Sequence, residues 1–212
     1  ASASKTLVIA NLPDISKTAY LLSVPKLAAL LHVPVGTVMS SLGLNLGDLV
    51  TPYGIEFALS TQLTQKLPDV APPNPPNVIR AAKVLEIQAT IIAYNIDIAI
   101  EALINGATLV DVYSLVNDLA ANGIVVNGKK LTTDFGGGLF SEDGIHPTAV
   151  GYAIIANEFI KTMNRQNNAG IPPVSVNQVA KTDPLFPKEK QASVSGHVSA
   201  DTANALQALR AQ

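Results

Sequence analysis

A long helical pattern framed by two short β-branched runs constrains this chain more than any other feature in it. Residues 7–11, Leu-Val-Ile-Ala-Asn, read as a buried strand that leaves through Leu12, Pro13 and Asp14. From Asn77 onward, apolar residues at Val78, Ala81, Leu85, Ala89, Ile92 and Ile96 recur at three- and four-residue steps, and Asn105-Gly106 supplies a stop. Residues 108–113 then form a second apolar run, read as a strand. A helix joining two buried strands predicts a βαβ unit with a parallel pair, and so an α/β protein.

Around this unit the chain is punctuated. Residues 19–65 are apolar but broken by Pro25, Pro34, Gly43, Gly47 and Pro52, which predicts several short helices joined by turns. Pro68, Pro72, Pro73, Pro75 and Pro76 make the following stretch an extended linker. A short helix is expected over 114–121, with turns at Asn122-Gly123 and Asn127-Gly128. Three glycines at 136–138 lead to a last core helix, with Pro147 at its first position and an end near Asn164. Beyond Arg165 the chain is polar and interrupted by prolines, and residues 200–212 are expected to add a short helix. The organisation read from this is a domain over 1–165, in which 19–76 is an apolar insertion with its proline-rich linker, and a C-terminal arm over 166–212.

Composition narrows the partners. Charged residues make up 14% of the 212 positions, against roughly 25% in an average globular domain. Much of the surface is therefore neutral or covered by something. A net charge of −2 offers no concentrated basic face, which excludes nucleic acid as the expected partner. There is no cysteine, and thus no thiol nucleophile or disulfide framework. The first residues lack the charged start and apolar core of a signal peptide. Residues 27–47 carry no Asp, Glu, Lys or Arg, but Pro34, Gly36 and Gly43 interrupt them, so no transmembrane span is expected there.

One stretch is built for chemistry. Asp-Gly-Ile-His-Pro-Thr at 143–148 sets a carboxylate and an imidazole three residues apart in a glycine-containing turn before a helix. A carboxylate beside an imidazole holds the ring in one tautomer and stabilises its protonated form, which suits a general base. Taken alone, the spacing equally fits a surface turn whose Asp caps the next helix. Glu142, Asp143 and His146 also admit a metal-binding reading, although no second histidine lies nearby in sequence. His32 and His197 suit packing or exposure better than catalysis.

The order of a strand ending at Asp111, a glycine-rich loop, Asp143-x-x-His146-Pro147-Thr148 and a helix carrying Gly151-Tyr152 resembles the C-terminal half of the SGNH, or GDSL, serine hydrolases. Asn11-Leu12-Pro13, Asn95 and Asp111 fit the strand, helix and strand that precede that block. The resemblance implies a three-layer αβα, flavodoxin-like fold whose N-terminal strands are missing from this chain. It also implies carboxylic ester hydrolysis by a Ser-His-Asp mechanism with Asp143 as acid and His146 as base, and no cofactor. The Gly-Asp-Ser nucleophile motif and the Gly-x-Asn-Asp motif are not found: Gly47-Asp48 is followed by Leu49, and Asn117-Asp118 is preceded by Leu115 where the glycine belongs. Ser16 and Ser141 are weaker candidates than a serine on an N-terminal segment. Expected partners are an ester substrate and either that missing half or a second copy paired through an open sheet edge. The family is often exported. The competing expectation is a non-catalytic binding or assembly module, or an inactive remnant of the hydrolase fold.

Overall fold

A computed structural model of the protein describes residues 6–70 and 76–187. The first strand, β1 (Val8–Ala10), is short and half-buried. Its exit is fixed by Asp14, a buried carboxylate whose Oδ1 accepts from Ser16 N–H (2.9 Å) and caps a 3-10 turn at Ile15–Lys17. The chain then builds the insertion: β2 (Leu22–Ser23), α1 (Val24–Leu30), α2 (Val35–Leu42), β3 (Leu49–Val50), α3 (Pro52–Ser60) and β4 (Val78–Ile79). Prolines that look disruptive in sequence are used at starts, since Pro25 and Pro52 sit in the first turns of α1 and α3, where no amide bond is lost. Gly43 ends α2 at φ +66°.

Strands β2, β3 and β4 form a small antiparallel sheet, with Leu22 opposite Val50 and Leu49 opposite Ile79. Against it pack Val24, Leu27, Val38, Leu42 and Val50, all without solvent exposure. Each such side chain contributes on the order of 2 kcal/mol on transfer from water. The insertion is thus a closed core.

Helix α4 (Ala81–Ile104) carries the chain back. It begins four residues later than the periodicity from Asn77 predicts, because Val78 and Ile79 are drawn into pairing with β3. Its start is fixed by Asp48, which is fully buried and accepts from Ala81 N–H (2.8 Å), Asn45 N–H (2.9 Å) and Arg80 Nη1 (2.9 Å). Arg80 also reaches Asp69, tying the segment after α3 to the same node. Burial pushes the Asp48 carboxyl up, but these amides and the guanidinium outweigh it and hold it below the ordinary carboxylate range. Pro72, Pro73 and Pro75 of the expected linker lie outside the described residues.

After α4, β5 (Thr108–Val110) pairs in parallel with β1, Val8 opposite Thr108 and Ala10 opposite Val110. The expected βαβ unit is present. The second strand ends at Val110 rather than Tyr113, since the Asp111 side chain accepts from Ser114 N–H (3.0 Å) and opens α5 (Val112–Asn122). Strands β6 (Ile124–Val126) and β7 (Lys129–Leu131) make a hairpin around Asn127 (φ +48°) and Gly128 (φ +77°). Sequence reading gives the turn but not the strands.

Helix α6 (Ala149–Asn167) starts after Pro147, with Thr148 as its cap: Gly151 N–H donates to Thr148 Oγ1 at 3.1 Å. Residues 168–187, expected as part of an arm, are mostly exposed but tied to α6 at a few points. Asn157 bonds both N–H and C=O of Val174, Asn164 does the same to Ile171, and α7 (Val176–Thr182) buries Ala180 against Leu119, Val150 and Ile154. Asp183, also buried, accepts from Val150 N–H (2.9 Å) in the first turn of α6. The helix expected over 200–212 lies outside the described residues. The protein is mixed α/β, with one parallel pair and two antiparallel sheets among the described residues.

Candidate active site

The loop from Leu139 to Thr148 is pinched at its neck. Thr148 N–H donates to Leu139 C=O (3.0 Å), Ser141 N–H to His146 C=O (2.7 Å), and Phe140 bridges Pro147. Inside that neck Gly144 N–H donates to Ser141 C=O (2.9 Å). Gly144 adopts φ +71°, and a Cβ there would fall 2.7 Å from the backbone nitrogen of Tyr20. That close approach is used: Tyr20 N–H donates to Gly144 C=O at 2.9 Å, joining the loop to the entrance of the insertion.

Asp143 organises the loop through one oxygen and the imidazole through the other. Its Oδ1 accepts from Ser141 Oγ (2.7 Å), Ile145 N–H (2.8 Å) and His146 N–H (2.9 Å). Its Oδ2 lies 2.6 Å from His146 Nδ1. Desolvation pushes the carboxyl up, but the bonds from His146, Ser141 and the two amides outweigh it and hold Asp143 well below the usual carboxylate range. An ionised carboxylate only accepts, so Nδ1 carries the proton, and in the neutral ring the lone pair is on Nε2. The His146 side chain is 70% exposed, which leaves the ring accessible.

The reading of Asp143 as a helix cap is replaced by this geometry, because Thr148 caps α6 while Asp143 faces its own loop and the imidazole. The two serine candidates are held elsewhere. Ser141 Oγ donates to the acid, not to His146. Ser16 Oγ donates to Asp14 Oδ1 (2.6 Å) and accepts from Gln88 Nε2 (2.9 Å). Asp48 is the buried node of α4, and Asn117 lies within α5, donating from Nδ2 to Tyr113 C=O (3.1 Å). Among the described residues no group of three His, Cys, Asp or Glu side chains converges as a metal site. His32 is exposed after α1, and His197 lies outside the described residues.

Two further asparagines hold the βαβ unit. Asn95 of α4 accepts from Leu12 N–H (2.7 Å) and donates to Leu12 C=O (2.9 Å), clamping the exit of β1. Asn11 donates to Asp111 Oδ1 (2.7 Å) and accepts from Tyr113 N–H (2.8 Å), tying the carboxyl ends of β1 and β5. Sequence reading placed Asn95 in its helix, and it placed Asn11 and Asp111 in strands that end one residue earlier, at Ala10 and Val110. The anchoring roles of Asp183 and Tyr20 left no sequence signal, since each depends on a partner distant in the chain. Comparison with protein-family models, curated proteins and solved structures returned no match.

Proposed function

We propose that this chain supplies the acid and base of a carboxylic ester hydrolase of the SGNH type, in a flavodoxin-like αβα fold whose nucleophilic serine stands on a preceding segment. The observation that carries this reading is the Asp143–His146 pair, in which Oδ1 is saturated by loop donors and Oδ2 is committed to Nδ1. In the reaction, His146 Nε2 takes the proton of the serine as its oxygen attacks the ester carbonyl, and Asp143 balances the imidazolium. The imidazolium then protonates the leaving alcohol. A water, deprotonated by the same nitrogen, cleaves the acyl-enzyme and returns the serine.

Among the described residues β1 has β5 as its one partner strand, and the edge that this leaves open supports a preceding segment, since an unpaired strand edge leaves backbone donors and acceptors without partners. With that segment present, His146→Ala should lower turnover of short and medium acyl esters by about a thousand-fold or more with unchanged circular dichroism. Retained turnover would reject the assignment. A serine-directed phosphonate should leave Ser16 and Ser141 of this chain unlabelled. The alternative, a non-catalytic assembly module, draws on α4, whose Leu85, Ile96 and Leu103 are exposed. By length and composition α4 is also apolar enough to cross a membrane; the Asn95 clamp on Leu12 ties it to the exit of β1.

A further inference from the structure

A cleft of about 590 Å³ opens between the insertion and the βαβ unit, within the range of roughly 300–1,000 Å³ that small-molecule sites occupy. One wall is aliphatic: Leu21, Leu46 and Leu49 from the insertion face Val84 of α4 and Ala120 and Ala121 of α5. The polar rim holds Lys17 and Lys26. Lys26 is neutralised by Asp134, while Lys17 has no ion-pair partner among the described residues. The lining therefore combines aliphatic side chains with the hydroxyls and amides of Ser16, Thr18, Ser23, Gln88, Asn117 and Thr133 and with the ammonium of Lys17. Lys17 comes from the turn after β1, and Ala120 and Ala121 from the last turn of α5. The cleft also adjoins the histidine loop, since Leu21 directly follows the Tyr20 amide bonded to Gly144.

We propose that this cleft binds an aliphatic monocarboxylate, the chain lying along the leucine and alanine wall and the carboxylate on the Lys17 ammonium. A neutral chain of equal length gains only the wall, and a dicarboxylate must bury a second charge with no partner. The identification of this ligand with the acid released by ester cleavage rests on the hydrolase reading. The binding itself does not.

Titration of the ¹⁵N-labelled protein with sodium octanoate, followed by amide shifts, tests the site. Saturable shifts are expected at Thr18, Ala120, Ala121 and Thr133, with octanol weaker. Lys17→Gln should weaken octanoate about five-fold and leave octanol unchanged. Ala121→Trp, a change at an exposed position, should abolish the saturable shifts of both ligands. Leu46→Asp, in an exposed loop, should weaken octanoate more than octanol and serves if the tryptophan variant fails to fold. The proposal is overturned by shifts that never saturate, by octanoate binding indifferent to Ala121→Trp and Leu46→Asp, or by Lys17→Gln leaving the octanoate affinity intact. His146→Ala should bind octanoate as the parent does. Octanoate binding alongside an active His146→Ala enzyme would therefore reject the hydrolase and keep the site, and the converse pair of results would do the opposite.

Discussion

The insertion and the βαβ unit are built from similarly apolar sequence, yet one is closed and the other is open. In the insertion the small sheet and helices α1, α2 and α3 cover one another, and Val24, Leu27, Val38 and Leu42 see no solvent. In the βαβ unit the 24 residues of α4 bury only Val84, Ile91 and Ala102, while Leu103 is 82% exposed. Apolar sequence alone does not distinguish the two. What separates them is whether the partner of each apolar face is present among the described residues: the insertion carries its own, and α4 finds one only along the narrow face of Val84, Ile91 and Ala102.

The largest expected difference follows from this. Leu42→Ala should destabilise the protein by about 3–4 kcal/mol in urea unfolding, because the surrounding core cannot relax into the space. A cost under about 1 kcal/mol would show that the insertion is loosely packed and erase the contrast. The joint between the regions comes next. Asp48→Ala removes the acceptor shared by Arg80 and the first amide of α4 and should cost roughly 3 kcal/mol.

That joint also predicts a pH dependence. The folded Asp48 carboxyl lies below its ordinary value, so its contribution is fully present at neutral pH and disappears as pH falls below about 4. Asp48→Asn should flatten the acid limb of a plot of urea midpoint against pH. An unchanged limb would mean that other carboxylates govern it.

Gly144→Ala probes the contact between the histidine loop and Tyr20. The combination of positive φ and a Cβ 2.7 Å from a backbone nitrogen should cost about 2 kcal/mol, and it should disturb the His146 imidazole signals as well as the melting temperature. The smallest effect is on the open side: Leu103→Ala should change the stability of this chain by no more than about 0.5 kcal/mol. If a covering segment exists, the same substitution in its presence should cost several times more. Equal small effects in both settings would mean that α4 is not covered there. Concentration-dependent association of this chain by light scattering would locate a second copy as the cover.

The sequence exposed the parts that are local. The βαβ unit, the broken helices of the insertion and the Asp143-x-x-His146 spacing follow from periodicity, prolines and a turn. Strand ends were missed where a side chain captured a neighbouring amide, as Asp111 does at Ser114. The pairing of Val78 and Ile79 with β3 overrode a helical pattern that extended over them. Asp183 was invisible for the same reason as Asp48: a buried carboxylate that caps a helix 33 residues away in the chain resembles any polar residue in a loop. The imidazole's partner could be read from spacing, whereas the saturation of Asp143 Oδ1 required the folded loop.

Asp183 has a further consequence for how the protein comes into being. It caps the helix that follows His146, from a position 37 residues later in the chain than the histidine. During synthesis the imidazole and its acid leave the ribosome together, but the amide of Val150 waits for its acceptor until Asp183 has followed. Nascent chains halted between these two points should contain the pair yet hold it on a frayed helix. The final setting of the histidine loop is therefore a late event in translation, decided by a segment that makes no contact with the imidazole.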